Sequence, residues 1–111
     1  MDFSRGYEKE ARKMVKKIIW TKTADKTFDD ITSFLQDNSS LKAAENFATA
    51  VYTKIDVLFE QPYIGRPSQK AKTVRIVNVG KNIQLLYRIE GKTLIISDFF
   101  DTRQDSKKRR H

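Results

Sequence analysis

The 111-residue chain contains no cysteine, and its one histidine, His111, is the last residue. Without thiols the chain can form no disulfide, no cysteine nucleophile and no cysteine-ligated zinc site. A single terminal histidine also argues against a serine–histidine–aspartate relay and a histidine metal cluster. We therefore predict no metal site and no cofactor, and we expect a reduced, cytoplasmic location.

The sequence also lacks a long apolar run. No apolar run approaches the roughly 20 residues of a membrane-spanning helix. Residues 1–7 contain no apolar stretch of the signal-peptide type, so we expect no membrane partner. The length is that of one domain, and the 39% of hydrophobic residues is enough for a compact core.

Positive charge is unevenly distributed along the chain. Residues 1–61 contain ten basic and ten acidic residues, whereas residues 62–111 contain 12 basic and 4 acidic residues. The whole formal excess of +8 therefore lies in the second half. This asymmetry points to an anionic partner, either nucleic acid or an acidic protein segment. The alternative is a charge that serves only solubility.

The first half of the chain predicts one strand followed by a helical hairpin. Residues 17–21 are β-branched and aromatic, which indicates a short strand. Apolar residues three and four apart then indicate two helices, the first capped by Thr21 or Thr23 and the second ended by Pro62. The short polar join between them, at residues 37–40, makes the helices antiparallel neighbours.

The second half predicts three strands joined by short turns, which is an antiparallel meander. These strands cover residues 73–79, 83–89 and 93–100. We therefore predict an α+β fold, a two-layer β-α-α-β-β-β sandwich with the helical hairpin packed on a mainly antiparallel four-stranded sheet. The domain is predicted to cover residues 14–104, between a flexible N-terminal extension (1–13) and a basic disordered tail (105–111).

The basic residues on and after these strands are the candidates for a functional surface. Arg75 and Arg88 would form a cationic patch if both emerged on the face that the helices leave uncovered. Such a patch can hold phosphates or stabilise developing negative charge, or it can simply keep an exposed sheet soluble. Arg103 follows the last strand and can either reach back over the sheet or pair locally with Asp101.

An ordered set of short motifs resembles the RelE/ParE toxin superfamily over about residues 15–108. The segment Pro62-x-x-Gly65-Arg66-Pro67 is typical of its ParE, or plasmid-stabilisation, branch. Further similarities lie in the helical hairpin, in the strand pair and in the ending of the chain, at residues 23–35, 43–47, 58–61, 74–89 and 99–104.

The resemblance implies the growth-inhibiting toxin of a type II toxin–antitoxin pair. It implies an acidic antitoxin segment that folds on binding, in a heterotetramer or larger complex. ParE-like members inhibit DNA gyrase and need no nuclease site. RelE-like members are metal-independent endoribonucleases that cut mRNA in the ribosomal A site, using basic residues on the sheet and a C-terminal tyrosine or histidine.

Site residues follow from the resemblance and from the placement of the charges. Lys72, Arg75, Arg88 and Arg103 are expected to bind the antitoxin or the target, and only in the RelE-like case are Arg75 and Arg103 catalytic. Arg109 stands six residues after Arg103, in the region where a RelE-like nuclease has its tyrosine. We therefore expect the ParE branch and gyrase. The alternatives are a ribosome-dependent mRNA endonuclease and a non-toxic module that binds an acidic peptide.

Overall fold

The computed structural model describes residues 15–103. The predicted extension and tail, and both predicted domain boundaries, lie outside that range. The described chain forms β1 (Lys17–Trp20), α1 (Lys22–Asn38), α2 (Leu41–Glu60), β2 (Arg66–Pro67), β3 (Arg75–Asn78), β4 (Ile83–Glu90) and β5 (Thr93–Asp101). Neither helix in this part of the chain has the length and apolar character needed to cross a membrane.

Side-chain caps fix where the two helices begin. Thr21 Oγ1 accepts a hydrogen bond from the Ala24 amide at 3.0 Å, so the first of the two predicted cap residues is the one used. Ser40 Oγ does the same for the Ala43 amide at 2.9 Å. The Thr21 hydroxyl also donates to the Ser97 carbonyl at 2.9 Å, and this bond ties the start of α1 to β5.

The sheet has five strands in the order β1-β5-β4-β3-β2, with β1 parallel to β5 and every other pair antiparallel. The predicted α+β class and the helical hairpin on a mainly antiparallel sheet are confirmed. The strand that the prediction omitted is β2, which has two residues and is too short to show an alternating pattern. It lies at an edge, where Pro67 can be accommodated although it lacks an amide hydrogen.

The core lies between the helical hairpin and one face of the sheet. In β4 the buried residues Ile83, Leu85 and Tyr87 are those predicted to share a face. In β5 the register skips Ser97, because Tyr87 pairs with Ile96 and Leu86 with Asp98. This bulge keeps Ile96 and Phe99 on the same buried face although they are three residues apart, since side chains otherwise alternate with a period of two.

Candidate functional site

The segment that resembles the ParE branch is held to the sheet by the hydroxyl of Tyr87. This hydroxyl donates to the Pro62 carbonyl at 2.6 Å and accepts from the Gly65 amide at 3.0 Å. Tyr87 is fully buried. Burial raises the pKa of Tyr87 above its ordinary value, against smaller opposing effects of the Gly65 amide and the charge of Arg75. Tyr87 therefore acts as a neutral structural bridge between strand β4 and the turn after α2.

Glycine is required at position 65 because there is no room for a side chain. A Cβ atom at this position would lie 2.6 Å from the Tyr87 hydroxyl oxygen and 3.1 Å from the Ile76 carbonyl oxygen. Real Cβ atoms essentially never lie within 3.0 Å of another atom, and the tight 3.1 Å contact would be with backbone. The glycine thus permits the close approach of the turn to β3 and β4.

Arg75 secures the same turn from the neighbouring strand. Its Nη1 donates to the Gly65 carbonyl at 2.6 Å and to the Tyr63 carbonyl at 3.2 Å. The guanidinium carbon also lies 5.1 Å from the centroid of the Tyr63 ring, within the range of a cation–π contact. Arg75 pairs with Tyr87 across β3 and β4, so its side chain leaves the sheet on the face that the helices cover.

Arg88 lies on the opposite face. It alternates with Tyr87 along β4 and pairs with Ile95 across to β5. Its Nε donates to Glu90 Oε2 at 2.9 Å, an ion pair in which both side chains are exposed to solvent. Arg75 and Arg88 therefore do not share the uncovered face, and they do not form a single cationic patch there.

Arg103 adopts the second of the two arrangements considered from the sequence. Its backbone amide, Nε and Nη2 all donate to the Asp101 carboxylate, at 3.0, 3.2 and 3.1 Å. Asp101 is buried with 4% of its surface exposed, whereas Arg103 is exposed. The hydrogen bond to Asp101 raises the pKa of Arg103 above its ordinary value. Arg103 therefore balances a buried carboxylate at the end of β5.

The uncovered face of the sheet contains a groove of about 360 Å³, which we call the open-face groove. Its apolar lining is Ala71, Val74, Ile76, Leu86 and Phe100, and its polar lining is Ser68, Lys70, Gln84 and Asp98. Lys72 is exposed in the turn at one side of this groove. From the sequence, this face was expected only to be the one that the helices leave uncovered. Its apolar character was visible in Ile76, Leu86 and Phe100, which occupy the strand positions that alternate with core residues.

Residues 15–103 contain no group of three or more histidine, cysteine, aspartate or glutamate side chains placed to hold a metal ion. The polar groups near the ParE-like turn bond to one another, and Arg75 is the cation that bonds to the carbonyls of the turn. This region is a partly apolar protein surface with exposed cations around it.

Comparison with known proteins identifies the family. The family model described as the ParE toxin of the type II toxin–antitoxin system parDE matches residues 18–106. The chain belongs to the ParE toxin family. No curated protein shows a significant match to it.

The fold of this ParE-family chain is similar to that of several solved toxin structures. It is similar to a chain of the chromosomal ParDE system from P. aeruginosa, with TM-score 0.69 and 19% identity over 81% of this chain and 97% of that one. It is also similar to the YoeB/ParE toxin from Agrobacterium tumefaciens, with TM-score 0.56 and 15% identity over 78% and 98% of the two chains. A chain of the RelBE2 complex from Mycobacterium tuberculosis gives TM-score 0.57 and 17% identity over 79% and 99%.

At these identities the structural similarity shows the fold alone. The ParE toxin family and the type II toxin–antitoxin class rest on the family model. The predicted RelE/ParE resemblance is thereby confirmed. The roles predicted for Lys72, Arg75, Arg88 and Arg103 in binding or catalysis stay predictions.

Proposed function

We propose that this chain is a growth-inhibiting toxin that acts on DNA gyrase in the ParE manner and is neutralised by an acidic antitoxin. This proposal is based on the observation that both candidate catalytic arginines make contacts within the chain. Arg75 bonds to the Tyr63 and Gly65 carbonyls, and Arg103 bonds to Asp101. Membership of the ParE family supports the same target.

A RelE-like nuclease needs cationic groups that converge on one scissile phosphate. Arg75 pairs with Tyr87, whereas Asp101, the partner of Arg103, pairs with Ile83. These two positions of β4 are four residues apart, which is about 13 Å along the strand. The contacts of the two arginines are therefore made beside the middle of β4 and beside its first residue. This separation favours inhibition by binding over phosphodiester cleavage.

The open-face groove offers the antitoxin a surface of matching chemistry. Its apolar floor is flanked by Lys70, by Lys72 in the adjoining turn, and by Arg88, which lies two residues beyond Leu86 on the same face. A segment with apolar side chains between acidic ones would bury the floor and meet these cations. We propose this groove as the antitoxin surface, with Lys72 and Arg88 as its charged contacts.

A supercoiling assay tests the gyrase proposal. Purified gyrase, relaxed plasmid and ATP are incubated with increasing amounts of the toxin, with and without the expected antitoxin, a small acidic protein to be sought in the neighbouring reading frame. We expect supercoiling to be lost and the neighbouring protein to restore it. Normal supercoiling at large molar excess contradicts the proposal. Cleavage of ribosome-bound mRNA that disappears in Arg75→Ala supports the endonuclease instead, and normal growth on expression alone supports the non-toxic binding module.

Charge reversal tests the antitoxin surface separately. The double variant Lys72→Glu/Arg88→Glu is compared with Lys22→Glu/Lys42→Glu, which makes the same charge change at exposed positions of the helices. We expect the first variant to lose at least about tenfold in affinity for the antitoxin, mainly at low salt, because matched charges are replaced by opposed ones. Equal losses in both variants would contradict a specific role for the groove.

A further inference from the structure

A second surface lies on the helix side of the molecule and has different chemistry. The rings of Trp20, Phe28 and Tyr52 meet there, with centroids 5.4 to 6.3 Å apart. Together with Asp25 and Asp29 they line a shallow cleft of about 580 Å³, which we call the aromatic cleft. No basic residue lines it. The cleft is therefore a negatively charged, aromatic surface on a chain whose net charge is positive.

The two carboxylates of the aromatic cleft are placed one helical turn apart on the same face of α1. Like charges at this spacing destabilise a helix. Within residues 15–103 neither carboxylate makes an ion pair, whereas the adjacent Asp30 is paired with Lys26 at 2.9 Å. Asp25 lies in the first turn, where the helix dipole favours a carboxylate. Asp29 lies beyond that turn, so the dipole does not account for it.

The aromatic walls are accessible from solvent. Tyr52 has 55% of its surface exposed, and Trp20 and Phe28 are half-buried at the base of the cleft. The faces of such rings attract cations, tryptophan most strongly. A guanidinium group combines a planar face that stacks on aromatic rings with a row of donors that suits a carboxylate. A lysine ammonium is more strongly hydrated and does not stack, so the pairing of rings with carboxylates favours arginine.

We propose that the aromatic cleft binds an arginine side chain presented by a partner protein. Charge complementarity supports this occupant, and the open shape of the cleft lets a side chain on another protein's surface enter it. Arginine, tryptophan and tyrosine are also the residues that carry most energy in protein interfaces. The cleft lies on the opposite side of the sheet from the open-face groove, so this proposal stands independently of the antitoxin surface and of gyrase.

Trp20 is the only tryptophan in the chain, which makes its indole NH a specific reporter of the cleft. The full-length ¹⁵N-labelled protein is titrated at low salt with a blocked pentapeptide that has arginine at its centre. A matched peptide has citrulline, the neutral counterpart of arginine, at the same position. We expect the arginine peptide to shift the indole resonance and the citrulline peptide to bind roughly tenfold more weakly, because it lacks the charge.

Two variants on the same helix separate a specific site from general attraction. Asp29→Asn removes a carboxylate of the cleft, and Asp37→Asn makes the same change two turns further on, outside the cleft. We expect Asp29→Asn to lower the affinity for the arginine peptide roughly tenfold, as for one charge-assisted hydrogen bond, and Asp37→Asn to leave it unchanged. Both variants are expected to keep the wild-type spectrum elsewhere.

Three outcomes would overturn the proposal. The first is equal binding of the arginine and citrulline peptides, and the second is an equal loss of affinity in Asp29→Asn and Asp37→Asn. The third outcome comes from a further variant of the full-length chain, in which the four consecutive basic residues 107–110 are replaced by alanine. If this change moves the indole resonance without any peptide, the occupant is the chain's own tail and not a partner.

Discussion

Arg75 and Arg88 are on neighbouring antiparallel strands, but they occupy opposite faces of the sheet. Arg75 lies on the helix-covered face and donates to two backbone carbonyls of the turn after α2. Arg88 lies on the uncovered face, where an exposed glutamate is its partner. One arginine therefore fixes the conformation of the turn after α2, and the other stays available at the surface.

This difference separates a cation that stabilises the fold from a cation that is accessible to a partner, without reference to their spacing in the sequence. A guanidinium group with carbonyl partners at the edge of the core contributes to folding, because those carbonyls would otherwise lose their hydrogen bonds. An exposed arginine–glutamate pair contributes little to stability and can exchange its partner for another anion. We therefore expect the face of the sheet, more than the residue type, to decide which arginine binds a partner.

The largest effect is expected from Gly65→Ala, which attacks the turn that Arg75 and Tyr87 hold. The new methyl group would lie 2.6 Å from the Tyr87 hydroxyl oxygen, so the turn must move away from the sheet. We expect the free energy of unfolding to fall by about 3 kcal/mol, measured by urea denaturation, from overpacking and lost buried hydrogen bonds.

The control for this variant is the double variant Gly65→Ala/Tyr87→Phe. Because phenylalanine lacks the oxygen that the new methyl group meets, Gly65→Ala is expected to cost less in the Tyr87→Phe background than in the wild type. Equal costs in the two backgrounds would show that the hydroxyl does not hold the turn.

Tyr87→Phe alone is expected to have the next largest effect. It leaves the Pro62 carbonyl and the Gly65 amide without their shared partner in a buried position. We expect a loss of about 2 kcal/mol in the free energy of unfolding. A loss within experimental error would mean that water replaces the hydroxyl.

The same variant tests the protonation of Tyr87. Since burial raises the pKa of Tyr87 in the folded state, the unfolded chain releases this proton first as the pH rises through about 10. The folded state then binds more protons than the unfolded state, so stability falls with increasing pH. We expect the wild type to lose more stability than Tyr87→Phe between neutral pH and about pH 11. Parallel pH profiles would contradict this assignment.

The smallest effects come from the arginines themselves, and here the two faces are compared directly. Arg75→Ala is expected to lower the free energy of unfolding by about 1.5 kcal/mol and Arg88→Ala by less than about 0.5 kcal/mol. Thermal unfolding of both variants under identical conditions measures the difference. Equal effects would remove the distinction between the two faces.

Hydrophobic spacing predicted most of the fold. Both helices and strands β1, β3, β4 and β5 were predicted, because each carries a periodic set of apolar residues long enough to recognise. β2 was missed because two residues cannot show a period. The bulge at Ser97 was missed because a local change of register depends on how β5 packs against the helices.

The candidate site was less predictable than the fold. Alternation along β3 predicts that Arg75 and Val77 share a face. It does not predict which face the helices cover, because the opposite face also has apolar residues, such as Ile76. Val77 is buried, and Arg75 therefore lies on the helix side. The partners of Arg75 are backbone carbonyls that the turn at residues 63–65 brings near, and the sequence contains no signal for them. The aromatic cleft was also missed, because Phe28 and Tyr52 have the spacing of core residues.

The parallel pairing of β1 with β5 determines when, during synthesis of the chain, the sheet can form completely. Lys17 pairs with Thr93, and the Thr21 hydroxyl that caps α1 bonds to a residue 76 positions later. During synthesis from the N-terminus, α1 and α2 can form early, but β1 has no strand to pair with until β5 has been made. Contacts of such long range also slow folding. The sheet therefore stays incomplete until β5 has been synthesised, and the surfaces that it supports exist only after that point.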